Sequence, residues 1–123
     1  MSAEDRVYEI FNLNNEISQY PPDPESAARH RAEILVKGET LRVIVVTALA
    51  GGTLHEHSAP GPITVQVLEG AFTLTIQGEP RQMRAGDIAV VAPRIRHEVT
   101  CEEDGAFLLT IAHLSYKPDQ GNN

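Results

Sequence analysis

Two histidines one residue apart, His55 and His57 in "LHEHSAPGPITVQVLEG", combine a residue type and a spacing suited to chemistry. Side chains at i and i+2 of an extended strand leave the same face, so the pair presents two imidazoles side by side. Imidazole nitrogen suits Zn, Ni, Fe, Co or Cu. Two ligands seldom hold a divalent ion firmly in water, so further donors must come from elsewhere in the fold. His97, at the head of "HEVTC", is the next candidate. Cys101 follows four residues later, and even spacing puts His97, Val99 and Cys101 on one strand face. A lone thiol there reads as a small apolar filler. His113, ending "FLLTIAH", reads as a strand-end histidine, His30 in "AARHRAE" as part of a solvated face, and Glu56 as surface charge.

The elements that must position these groups are strands. From Glu33 onward, "EILVK", "LRVIVVTAL", "ITVQVLE", "AFTLTIQ", "RQMR", "DIAVVA", "HEVTC" and "AFLLTIAHL" alternate with the breaks "GET", "AGGT", "APGP", "EG", "GEP", "AGD", "PRIR" and "EEDG". Runs rich in Val, Ile and Thr, bounded by Gly and Pro, predict an all-β antiparallel sandwich or barrel. Gly70 and Gly78 read as turns at the two ends of "AFTLTIQ", and Gly86 with Asp87 as a tight turn into "IAVVA". Before the strands, "YEIF" fits a short strand and "LNNEI" a helical turn. "YPPDPE" is a loop, because its prolines fix φ and remove amide donors. "SAARHRAEI" either forms about two helical turns or runs straight into the next strand.

With 123 residues, 41% of them hydrophobic, the chain suffices for one domain with a core. Its net charge of −7 and scattered basic residues argue against nucleic acid and against an anionic membrane surface. One cysteine excludes an intrachain disulfide. No window reaches the roughly 18 apolar residues of a membrane helix. The opening "MSAEDRVYEI" lacks the pattern of a secretion signal, so a cytoplasmic location is expected. Phosphate-loop, Gly-x-Ser-x-Gly and Cys-x-x-Cys patterns are absent, leaving nucleotide hydrolysis, serine hydrolysis and dithiol exchange without support.

Gly51 or Gly52, His55, His57 and the closing Gly70, followed by Gly86, Asp87, Pro93 and His97, resemble the two short motifs of the cupin superfamily, in its small single-domain conserved-barrel form. The resemblance runs from about Leu41 to Ala112. It implies a jelly-roll barrel over residues 41–116, preceded by an N-terminal extension (1–40) that packs on the barrel or swaps to a partner's, and followed by a disordered tail (117–123). It also implies a homodimer, and a divalent transition metal (Zn, Fe, Mn or Ni) held by His55, His57 and His97.

The chain departs from the motifs twice. The glutamate ligand of the family would fall near Ile63 or Thr64, neither of which is anionic. Thr64, Gln66 and Leu68 share one strand face, and Ile63, Val65 and Val67 the other. If the polar face lines the cavity, Gln66 is the fourth ligand; if the apolar face does, three histidines hold the ion and water completes its shell. Arg94 stands where the second motif has glycine, which implies a different turn geometry. Neutral donors leave a divalent ion its full charge, which would favour an anionic ligand such as a carboxylate or enolate. The resemblance therefore implies a metal-dependent enzyme acting on a small carboxylate, keto or enol compound by dioxygenation or isomerisation, or alternatively a non-catalytic ligand-binding or sensor module.

Overall fold

The structure, a computed structural model, describes residues 7–112, with the backbone alone at Glu56 and His57. The expectations for His113 and for the tail 117–123 lie outside the described residues. One helix, α1 (Leu13–Gln19), precedes β1 (His30–Lys37), β2 (Leu41–Ala48), β3 (Thr53–His57), β4 (Ile63–Ile76), β5 (Glu79–Arg84), β6 (Ile88–Val91) and β7 (His97–Ala112). Asn12 starts α1 by accepting the Asn15 amide on its side-chain oxygen at 3.0 Å. The helix stops before Pro21 and Pro22. "YEIF" forms no strand, and "SAARHRAEI" takes the second of its two alternatives, running into β1.

All pairings are antiparallel, in the order β1-β2-β7-β4-β5, with β3 added on β7 and β6 on β4. The expected breaks at "EG" and "EEDG" are not breaks. β4 runs 14 residues through Gly70, and β7 runs 16 residues through Gly105. Their ladder extends from Ile63↔Ile111 to Ile76↔His97, with register shifts between Val67 and Phe72. Gly70 takes φ +76°, and a Cβ there would meet the Glu103 and Asp104 carbonyl oxygens; a Cβ at Gly105 would run into the Glu69 carbonyl oxygen. Both glycines therefore mark a place where two bent strands cross backbone to backbone. Gln77 and Gly78, with φ of 51° and 84°, do make the two-residue hairpin joining β4 to β5.

The bend divides one ladder into two layers. β2 and β6 flank the halves of β7 and β4 that meet at Ile63↔Ile111, while β3 and β5 flank the halves that end at Ile76↔His97. Between the layers lies one core that includes Val46, Val65, Val67, Phe72, Leu74, Val99, Cys101 and Phe107. Phe72 and Phe107 meet edge to face across it with centroids 5.1 Å apart. Burial of each such side chain contributes about 1.5–3 kcal/mol. The outer face of β2 is covered by the N-terminal segment, where Thr47 donates to the Tyr20 carbonyl at 2.6 Å.

Gly105→Ala is expected to lower stability by about 2–3 kcal/mol, because the clashing neighbour is backbone and cannot rotate away. Urea unfolding followed by circular dichroism measures this. An unchanged midpoint would mean that the two strands do not cross so closely.

Candidate functional site

β3 carries one extra residue where it pairs with β7. Leu54 lies opposite Val99, yet His57, three residues on, lies opposite His97, only two residues back. Such a bulge re-aims side chains locally and is frequent beside functional sites. Here it brings the backbones of His57 and His97 into direct register. His97 is buried, 3% exposed, on the β7 face that also carries Val99 and Cys101. Its Nδ1 lies 3.0 Å from the Ile95 carbonyl. A carbonyl can only accept, so Nδ1 bears the proton and, in the neutral ring, Nε2 bears the lone pair. This orientation by a backbone carbonyl is the one common in metal-ligating histidines.

His97 opens onto a cavity of about 210 Å³. Ile63, Leu109 and Ile111 give it apolar lining, Ser58, Ala59 and Pro60 come from a loop, and Arg42 also lines it. The loop is fastened at two points: the Arg94 amide donates to the Ala59 carbonyl at 2.8 Å, and the Ala112 amide to the Pro62 carbonyl at 3.0 Å. Arg94, expected to give a turn unlike one built on glycine, takes a left-handed backbone, φ +63°, of the kind glycine adopts freely. That conformation costs about 1–2 kcal/mol for a residue with a Cβ.

The structure resolves the choice of face on β4. Ile63, Val65 and Val67 are buried in the core, while Gln66 lies half-buried with Thr64 and Leu68 on the opposite face, paired with Leu108 and Ile88. Gln66 is thus not brought to His97. His55 is exposed on β3. Among the described residues, which exclude the His57 side chain, no three His, Cys, Asp or Glu side chains cluster as a metal site. His30 is set apart, with its Nδ1 3.0 Å from the Ala28 carbonyl.

Arg42 was not anticipated. In β2 it shares a face with Ile44, Val46 and Ala48, which pack in the core, and its Nε is buried with no hydrogen-bond partner. A buried N–H left unsatisfied costs on the order of 1–3 kcal/mol. A basic residue in step with an inward apolar row, within "LRVIVVTAL", was the sequence signal for it.

Cys101 is a core residue, 2% exposed, whose thiol donates to the Glu103 carbonyl at 3.1 Å. Burial, reinforced by the Asp104 and Glu102 carboxylates, pushes it up from 9.0 to about 11. It fills space, as expected.

Residues 42–113, more than half of the chain, match the family model described as the cupin domain. The chain belongs to the cupin family. Comparison with curated proteins gives no match. Similar solved structures include a conserved protein of unknown function, SPY1581, from Streptococcus pyogenes (26% identity, TM-score 0.66, covering 76% of this chain and 79% of that one). A cupin 2 conserved barrel domain protein from Leptotrichia buccalis is 27% identical with TM-score 0.71, covering 83% of this chain and 47% of that one. A salicylate 1,2-dioxygenase from Pseudaminobacter salicylatoxidans shares the fold at 23% identity and TM-score 0.65, covering 81% of this chain and 30% of that one. No helix among the described residues is long and apolar enough to cross a membrane.

Between pH 9 and 11 the folded Cys101 keeps its proton while the unfolded thiol releases it. The folded state then binds more protons, so this contribution to stability is complete below pH 9 and is lost as pH rises toward 11. Native protein at pH 8 is expected to resist a thiol-reactive dye and to label fully in urea. Rapid labelling of the native protein would show the thiol to be accessible.

Proposed function

We propose that this chain is a metal-binding cupin whose cavity takes a small oxygen-bearing carboxylate, keto or enol compound. The observation that carries the reading is the bulge-set register of His57 against a buried His97 whose ring is oriented by the Ile95 carbonyl at the cavity. His97 and His57 would hold a divalent transition ion, with His55 as the third donor from the same short strand. Such an ion, when bound, acts as a Lewis acid toward a carbonyl, enolate or carboxylate oxygen. His97 would keep its ring fixed through Nδ1, and the apolar lining of Ile63, Leu109 and Ile111 would exclude water from the ligand's hydrocarbon part. Dioxygenation and isomerisation are the reactions to assay. The likeness of fold to a salicylate 1,2-dioxygenase supports including the first.

A second reading, a ligand-binding module without catalysis, is favoured by the cavity lining. Among its described residues, His97 and Arg42 are the ionisable ones, and Arg42 cannot serve as a proton donor or acceptor near neutral pH.

Metal analysis of the purified protein is expected to give about one transition-metal ion per chain. His97→Ala and His57→Ala should each reduce this at least tenfold, and the triple change with His55→Ala should abolish it. Gln66→Ala should leave it unchanged. Equal metal content in the wild type and the triple variant would refute the reading. Turnover of a keto-acid, enol or aromatic-acid panel then separates the enzyme from the binding module.

A further inference from the structure

We infer that Arg42 is the anchor for a carboxylate group of the cavity's ligand, making small organic acids the class of compound this site takes. The inference rests on the reading of the cavity as a ligand site and names a second polar contact in it. Arg42 lines the same cavity as His97. Its Nε is a buried donor with no hydrogen-bond acceptor. Guanidinium stays charged at every accessible pH, so it cannot relieve this by losing a proton. Arg42 is half-buried, and the N–H it holds out of water calls for an acceptor.

Among the described residues lining the cavity none is acidic. A ligand carboxylate would match this donor in chemistry. The Nε–H and one Nη–H of a guanidinium form a planar fork that matches the two carboxylate oxygens. The lining that Arg42 and His97 share also includes the apolar Ile63, Leu109 and Ile111, which suits a short hydrocarbon or aromatic spacer. At about 210 Å³ the cavity is smaller than the roughly 300–1,000 Å³ of sites for drug-sized ligands, and holds about seven waters' volume. The expected ligand is accordingly a small acid rather than a nucleotide or a peptide.

The position also explains why an arginine interrupts an otherwise apolar inward row. A structural arginine at this place would find an acceptor for its buried Nε within the fold. One retained for a ligand is satisfied only when the ligand arrives, and the empty protein is the less stable for it.

The test is calorimetric titration with acetate, pyruvate, oxalate and benzoate, each paired with its uncharged amide, on the wild type, Arg42→Met and Arg42→Lys. At least one acid should bind the wild type at least tenfold more tightly than its amide. Arg42→Met should lose that preference, and Arg42→Lys, which keeps the charge without the fork, should weaken binding several-fold. Thermal melting of ligand-free Arg42→Met should be no lower than that of the wild type, because an unsatisfied buried donor has been removed. The inference is overturned if no acid binds the wild type, if Arg42→Met binds acids unchanged, or if both variants melt well below the wild type. Metal content, measured on the same samples, separates the two readings. Normal metal with Arg42-independent acid binding sinks this inference alone, whereas Arg42-dependent acid binding without metal supports it and sinks the metal centre.

Discussion

The architecture depends on one close approach, the crossing of β4 and β7 at Gly70 and Gly105. Side chains at these two positions would occupy the space of the opposite strand's carbonyl oxygens. Because neither glycine has a Cβ, both long strands bend together without breaking their ladder, and a single run of antiparallel pairs supplies two facing layers. The same bend sends the beginning of β7 back across the core, so that His97 enters the interior instead of ending at a solvent-facing turn. The burial of the imidazole and the packing of Phe72 against Phe107 are two results of one backbone contact.

Around that frame the site is held mostly by main-chain groups. The Ile95 carbonyl fixes the His97 ring, the Arg94 amide holds the loop containing Ala59, and Pro62 receives the amide of Ala112. His97 and Arg42 are the ionisable side chains of its described lining. Arg94 pays for its loop contact with a left-handed backbone, and Arg42 sits with an unmatched donor. Local strain and unsatisfied polarity thus lie around the cavity, the places where a fold commonly departs from its own rules for a purpose.

Most of the sheet was legible in the sequence, because alternation of Val, Ile and Thr between Gly and Pro breaks is a direct consequence of one-sided burial. The merged strands were not. A glycine that bends a strand and a glycine that ends one look alike in sequence, and only the crossing partner distinguishes them, as Gly70 and Gly78 show. His97 could be placed by its even spacing from Val99 and Cys101. The face presented by Gln66 could not, since alternation names two faces without saying which is inside; the burial of Ile63, Val65 and Val67 decides it. Arg42 was hidden within an apolar run. The bulge that sets His57 against His97 left no mark, because it arises from pairing between distant segments.

The central claim is that His57 and His97 converge on one cation. Crystals of metal-loaded protein, measured at the absorption edge of the loaded element, test it most directly. An anomalous peak about 2.1 Å from Nε2 of His97, with His57 in the same coordination shell, is the predicted result. A map with no peak at the cavity, or with the metal bound by surface groups away from His97, would contradict the account.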